Sequence, residues 1–486
     1  MSGARISGSV DLTGARIGAG ARALTLSHAV IGGKLTGENL RVDGEMRLHN
    51  TRISGNIQLP GAVLRNPGGV ALTGGGLEVS GGMFAIGGFT ANGEVNLIGA
   101  RLGDIFALPG AKLNNPGGTA LNLDRTTMRD CELADLACSG LISLAGARIG
   151  SRLSLDQARL EDPANGKALV ADGVTVGGSA EFSGLLARGE VSMRTASVGE
   201  GITLLGARLD NPAGAALCLD GTAVADDIVG DGMTVTGEVR LSGTQVSGQL
   251  SLDQVRLANP GGVALTASGL RASVFTLSPA APVLELVDFG HAQVDILRDN
   301  PQAWPDRLNL NGLTYRVLEP RLRAHERLQW LARDPARHEP QPYEQLAATY
   351  STTGQPTEAR RVLYCRERQQ RATKPPLGRA WSLIQDITVA YGYQPWRALI
   401  WLTLLLTTGS IIYAIAPPPA LQAHAAPHFN PVIYTLNLLI PVVDFGQRSA
   451  FNPAGAEQWL SYFFIASGWL LATTVATGIA RVLNRQ

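Results

Sequence analysis

The chain has 486 residues, 45% of them hydrophobic and 17% charged, with a formal net charge of +1. That length exceeds one ordinary domain, and the near-neutral total hides an asymmetry: residues 1–290 hold 22 Lys/Arg against 27 Asp/Glu, residues 291–486 hold 19 against 13. No basic stripe runs through the front of the chain, which argues against a nucleic-acid partner; Cys131, Cys138, Cys218 and Cys365 form no CxxC and match no zinc spacing, which argues for free or buried thiols in a reducing compartment.

The first residues, "MSGARISGSVDLTGARI", lack the apolar core of a signal peptide, so the front region is expected in the cytoplasm. From there to residue 290 the chain repeats itself. "LPGAVLRNPGGVAL" (59–72) returns as "LPGAKLNNPGGTAL" (108–121), "LLGARLDNPAGAAL" (204–217) and "LDQVRLANPGGVAL" (252–265). The prolines at 67, 116, 163, 212 and 260 are spaced 49, 47, 49 and 48 apart, and "GARIGAGARAL" (14–24) is a degraded first copy. Inside a unit, Leu97, Leu102, Leu108 and Leu113 step by five, six and five.

Alternation in "EVNL", "ISLAG" and "EVRLSG" has period two, so the elements are short strands. Strands this short, broken by Gly or Gly-Ala, do not build a flat sheet. They suit a solenoid with Leu, Ile and Val in its bore and the Asn-Pro-Gly-Gly turn along one edge. The region resembles pentapeptide-repeat and bactofilin-like β-helices, which implies an elongated right-handed β-helix. Its first coil has no covering segment in the sequence, so two expectations stay open: the true start lies further upstream, or copies stack end to end.

The repeat offers little chemistry. Asp156 and Asp253 hold equivalent places in two "LSLDQ" copies, but they lie two repeats apart and are read as structural or solvated. His28 and His49 are read as surface or corner residues. "GAGARA" (18–23) lacks the last Gly of a dinucleotide fingerprint and belongs to the repeat. No catalytic residue, metal ligand or cofactor is assigned, and the reading leans away from an enzyme.

Residues 291–341 are expected as cap and linker, with one last strand-like phrase in "NPQAWPDRLNLNGLTYRVLEP" (300–320). Residues 342–374 resemble one tetratricopeptide hairpin, with Leu346, Ala347 and Tyr350 on the first helix, Gly354 in the turn, and Ala359 and Leu363 on the second. One such repeat does not bury its own face, so it is expected to pack on the end of the rod. Arg360, Arg361, Arg366, Arg368, Arg371, Lys374 and Arg379 precede membrane-like sequence. They are candidate contacts to anionic lipid headgroups, against the alternative of a solvated helix face. Residues 375–395 read as an interfacial segment anchored by Trp381, Tyr391 and Tyr393, with Trp396 beyond.

Residues 396–416 and 459–479 are each long and apolar enough to cross a bilayer. Arg397, Arg481 and Arg485 flank them, while the 417–458 connection holds one basic residue, Arg448. The positive-inside rule then places both termini and the 480–486 tail in the cytoplasm, with the connection outside a plasma (inner) membrane. Within the connection, "NPVIYTLNLLIPVVDFGQ" (430–447) has an apolar core too short to span, and Pro441 ends or kinks it. Two pictures of 431–443 stay open: an interfacial helix, or a re-entrant helix held between copies of the two spans. The second has the element order of two-span pore-loop channels, without the potassium-filter sequence. In it Asn437, Asp444 and Gln447 are the candidate pore or re-entrant residues, and a ring of Asp444 would favour cations.

From about residue 300 onward, "LNLNGLTY", "PQPYEQLAATY", "EARRVL", "GYQPWRA", "LLIPVVDFGQ" and "WLLATTVATG" resemble an actinobacterial family labelled "membrane-associated oxidoreductase". The resemblance implies a β-helix with a C-terminal two-span membrane region. No residue found in the chain carries the chemistry of that label.

The expected fold is thus mainly β solenoid, with a ~48-residue supra-repeat, followed by an α-helical region and a two-span transmembrane hairpin. The expected function is a membrane-anchored cytoplasmic scaffold or interaction protein. Its expected partners are anionic lipids, a protein along the β-helix and further copies of itself. The alternative is an oligomeric pore with the β-helix as regulatory or assembly domain. A redox enzyme rests on the family label alone.

Overall fold

The structure is a computed structural model that describes the whole chain except residues 1, 19–21, 337–338, 372–374, 393, 395, 422–426, 441 and 484–486; the side chains of residues 392 and 477–483 are likewise outside the description. The chain divides into two compact units, Met1–Gln345 and Leu346–Gln486.

The first unit is a parallel β-solenoid. Val30, Leu35, Arg41 and Met46 of one coil pair in parallel with Arg52, Ile57, Val63 and Leu72 of the next. A coil therefore has four short strands, and from Val30 to Arg52 their starts advance by five, six, five and six residues. The mixed step in the sequence is this four-sided path. Following one ladder from Arg5 through Val30 and Arg52 to Thr314 counts fourteen coils.

From Arg5 to Gln293 the coils alternate in length. From Arg101 to Thr127 the chain takes 26 residues, and from Thr127 to Arg148 it takes 21. From Ala223 to Gln245 it takes 22, and from Gln245 to Arg271 it takes 26. The 48-residue unit is thus two coils, one long and one short. The long coil carries the Asn-Pro-Gly-Gly insert as a bulge. Asn66, Asn115, Asn211 and Asn259 close these bulges by donating from Nδ2 to the carbonyl four residues on, at 2.7–2.9 Å. The following short coil places a glycine against the bulge: Gly93, Gly140 and Gly237, at φ 113°, 121° and 119°. A Cβ on Gly140 would lie 2.5 Å from the Asn115 carbonyl oxygen and 2.8 Å from that of Gly118. Only glycine suits both the backbone angle and the gap.

The Gly-Ala phrase marks a corner. Gly99, Gly146 and Gly206 turn the chain at φ 66°, 62° and 63°, and the next residues, Ala100, Ala147 and Ala207, point a fully buried methyl inward. Asn39 and Asn50 fill the same corner at φ 53° and 52°, as the left-handed tolerance of Asn allows. Leu, Ile and Val fill the bore with Phe89, Phe106, Phe182 and Phe275. Buried Thr51, Thr126 and Thr244 donate to carbonyls of the preceding coil at 2.8, 3.0 and 2.8 Å, so their hydroxyls enter the core already paired.

The solenoid does not stop at residue 290. Gln293–Asp299, Arg307–Asn309 and Thr314–Glu319 continue its ladders. The stretch expected as cap and linker thus contains the last coils. His291–Ala292 and Gly312–Leu313 stand there in place of Gly-Ala, turning the chain at φ 57° and 77°, and hide the period. The helix α1 (Ala324–Leu331) follows. Its Arg327, 1% exposed, pairs with Asp299 and donates to the Pro320 carbonyl at 2.8 Å. The guanidinium lies 5.8 Å from the Trp304 ring centroid and 5.7 Å from that of Trp330.

In the helical part, α2 (Gln341–Thr352) and α3 (Pro356–Gln370) are joined through Gly354 at φ 77°, the helix–turn–helix order expected for this stretch. Next come α4 (Pro376–Val389), α5 (Trp396–Ile415), α6 (Pro431–Leu439) and α7 (Ala456–Leu483). Trp396–Ile415 and Ala456–Ala476 are long and apolar enough to cross a membrane.

Candidate functional site

The interrupted segment of the sequence is a helix seated between the two long apolar ones. Asn430 starts α6: its side-chain oxygen accepts from the Val432 and Ile433 N–H groups at 3.0 and 3.2 Å, and Pro431 takes the first helical position. Helix α6 packs on both α5 and α7 through a core of Tyr413, Tyr434, Leu438, Leu439, Phe451 and Phe464. The Tyr413 and Tyr434 rings meet edge to face at 4.9 Å.

Two glycines allow this approach. A Cβ on Gly409 of α5 would lie 2.4 Å from Thr435 Cγ2, and one on Gly468 of α7 would lie 2.1 Å from the Leu439 carbonyl oxygen. Past the tip of α6 is an apolar cleft of about 410 Å³. Leu402, Leu439, Ile440, Val442, Leu471 and Val475 line it.

The structure brings Asn437, Asp444 and Gln447 into one hydrogen-bonded loop. Asn437 is 2% exposed; its Nδ2 donates to Asp444 Oδ1 at 3.0 Å and its Oδ1 accepts from the Phe445 N–H at 3.0 Å. Buried Gln447 ties the exit of the loop to its start, donating to the His428 carbonyl at 2.8 Å and accepting from the Asn430 N–H at 3.1 Å. Asn437 and Gln447 are spent on holding the loop. Asp444 is exposed; Oδ1 accepts from Asn437 and, at 2.8 Å, from the Gly446 N–H, and among the described residues Oδ2 has no hydrogen-bond donor. Pro441, the expected break, lies outside the described residues, and α6 ends at Leu439 just before it.

The basic cluster divides. Arg366 is buried and pairs with Glu367 at 2.7 Å. Arg371 pairs with Asp386 of α4 and donates to the Tyr391 hydroxyl at 2.9 Å. Tyr364 donates to Asp386 at 2.5 Å, and its phenol is pushed up by burial and by that bond. Arg368 is exposed, 3.9 Å from Asp386 and over the Tyr364 ring at 6.0 Å. Arg361 pairs with Glu358 at 2.7 Å, while Arg360 and Arg379 are exposed. Lys374 lies outside the described residues. Arg366 and Arg371 thus hold protein groups, and the other described members of the cluster face outward.

On the solenoid, Asp156 accepts from the Ser183 N–H of the next coil at 2.7 Å. Asp124, Asp172, Asp220 and Asp231 accept in the same way from Ala145, Arg194, Ser242 and Asp253, at 2.9–3.0 Å. These carboxylates clamp coil to coil, whereas Asp253 accepts from its neighbour Gln254, at 3.0 Å. His28 and His49 are exposed corner residues whose rings meet at 5.8 Å.

Cys131, Cys138 and Cys218 are buried and Cys365 is half-buried; all four are free. Burial pushes the Cys138 thiol up to about 12 and raises Cys131, Cys218 and Cys365 as well. Among the described residues, no group of three or more His, Cys, Asp or Glu side chains is arranged to hold a metal ion. No family model, curated protein or solved structure matches this chain.

Proposed function

We propose that the protein is a membrane-anchored scaffold. Its solenoid presents a protein-binding surface in the cytoplasm, and α5 and α7 cross the inner membrane with both termini inside. The observation that carries this reading is the exposure of the two long helices. Only 17% of the apolar window of α5 and 28% of that of α7 is buried, and Leu399, Ile411, Trp459 and Phe463 face outward. Apolar surface left in water costs about 25 cal/mol per Å², and a bilayer removes that cost.

Exposed Arg360, Arg361, Arg368 and Arg379 precede the first span and supply cations for anionic headgroups, at about 1 kcal/mol each. The solenoid suits a scaffold because its bore is filled and its outer faces repeat from coil to coil. The family resemblance agrees with the location and adds no reacting group.

Alkaline extraction of membranes from expressing cells tests the anchor. The full chain should stay in the pellet, and a chain lacking residues 396–486 should leave it. Release of the full chain at high pH would overturn the reading. A second reading, an oligomeric pore, is favoured by the seat of α6 between the long helices.

A further inference from the structure

If α5 and α7 span, their contacts fix the depth of α6. Exposed Trp459 and Tyr462 mark the interfacial end of α7. Gly468 is nine residues further on, about 14 Å at 1.5 Å per residue and so near the middle of a ~30 Å hydrocarbon layer. The Leu439 carbonyl lies against it. Helix α5 gives a second measure. Gly409 is thirteen residues beyond Trp396, about 20 Å, so the Thr435 packed on it lies about 10 Å below the outer interface. Thr435 precedes Leu439 by four residues of helix, about 6 Å, so α7 places it about 8 Å deep. The two measures agree. Helix α6 enters from outside and ends near the midplane; a helix lying on the surface would reach neither glycine.

The return segment 442–446 then starts at that depth. It is not helical, and Val442, Val443 and Phe445 are 83%, 46% and 44% exposed. Among the described residues, no donor reaches the carbonyls of Val442, Val443, Asp444 or Phe445. The Asp444 carboxylate is held by Asn437, two residues before Leu439, about 11 Å below the interface. Non-helical backbone and a carboxylate persist at such depth only against protein or water. Among the described residues, nothing in a single protomer buries Val442, Val443 or Phe445, and Asp444 stays exposed.

We propose that a second copy of this chain covers the return segment, and that the Asp444 carboxylates of the copies face a shared water-filled crevice that attracts cations. Each protomer carries both halves of the contact: protruding Val443 and Phe445, and the apolar cleft at Val442 and Leu471. Such a head-to-tail contact closes into a ring where the rotation between copies divides a full turn. The proposal rests on α5 and α7 spanning the membrane and deepens the pore reading.

Cysteine chemistry on the full chain in sealed, right-side-out membrane vesicles tests it, in a Cys365→Ser background where the other native thiols are buried. Leu421→Cys, exposed in the outer connection, reports the topology and should react with a charged, impermeant thiol reagent added outside. Val443→Cys should react with the same reagent, and a short bismaleimide should convert its monomer band to oligomers. Reaction of Leu421→Cys with neither result at Val443→Cys would sink the proposal while the spans stand. Reaction of Val443→Cys without cross-linking would put water beside a lone protomer and remove the second copy. A Leu421→Cys that reacts only after vesicle lysis would overturn the topology, and the depth argument with it.

Discussion

The solenoid and the helical hairpin both use glycine where two backbones meet, yet they use it differently. Gly93, Gly140 and Gly237 repeat one contact, each under the bulge of a neighbouring coil. Gly409 and Gly468 occur once each and together seat the whole of α6. In a stack, every coil leans on its neighbours, so one bad contact is shared and stays local. In the hairpin, two unrepeated glycine contacts carry an entire helix and the loop behind it. Their apolar surfaces differ as well: the solenoid closes its own around a bore, while α5 and α7 leave theirs outside.

This contrast breaks most sharply where the solenoid itself has a contact found only once. Arg327→Ala leaves buried Asp299 without its cation and should cost about 3–5 kcal/mol; in an Asp299→Asn background Arg327→Met, which keeps the volume between Trp304 and Trp330, should lose less stability than Arg327→Ala. Hydrogen exchange of residues 293–331 in the full chain should show the loss concentrated in the last coils. Gly468→Ala comes next, at about 3 kcal/mol, because its methyl would overlap the Leu439 carbonyl. Limited proteolysis should then cut faster within 427–447 in Gly468→Ala than in the parent chain.

Gly140→Ala should cost about 2 kcal/mol, combining backbone strain with the Asn115 contact. Gly99→Ala meets nothing within 4 Å and should cost about 1 kcal/mol, for the left-handed backbone alone. Gly99→Asn should cost less, since Asn50 already fills that corner. Equal losses at Gly140 and Gly99 would remove the bulge-over-glycine account. The smallest effect is chemical. A raised thiol pKa leaves less thiolate at any pH below it, so at pH 8 about one part in 10,000 of Cys138 is ionised. Thiol titration of the folded chain should find Cys365 the fastest, and Cys131, Cys138 and Cys218 reactive only in denaturant.

The legible parts of the sequence were those set by local chemistry. Five-and-six steps, Gly-Ala corners and the Asn-Pro-Gly-Gly turn each describe a few adjacent residues, and together they define the solenoid. Pro431 and Pro441 likewise bracket the short helix in the sequence, and α6 runs Pro431–Leu439. What stayed hidden depends on residues distant in the chain. That 48 residues make two coils follows from pairing across coils, as between Arg101 and Thr127. Arg371 looked like a headgroup contact because its partner Asp386 lies on the next helix. Asn437 looked available, but its amide is committed to residues 444 and 445. The last coils were missed because His291–Ala292 and Gly312–Leu313 fill the corners without the Gly-Ala phrase.

The pairing of a long coil with a short one also limits how such a rod changes length. A single coil of 22 residues cannot be removed without laying bulge on bulge, where no glycine waits to receive it. Two coils together can go, or be added, and every remaining contact finds its counterpart. The rod therefore grows by even counts, about 9.6 Å at a time given ~4.8 Å between stacked strands. Its reach from one end to the other comes in discrete sizes, as a measuring stick does.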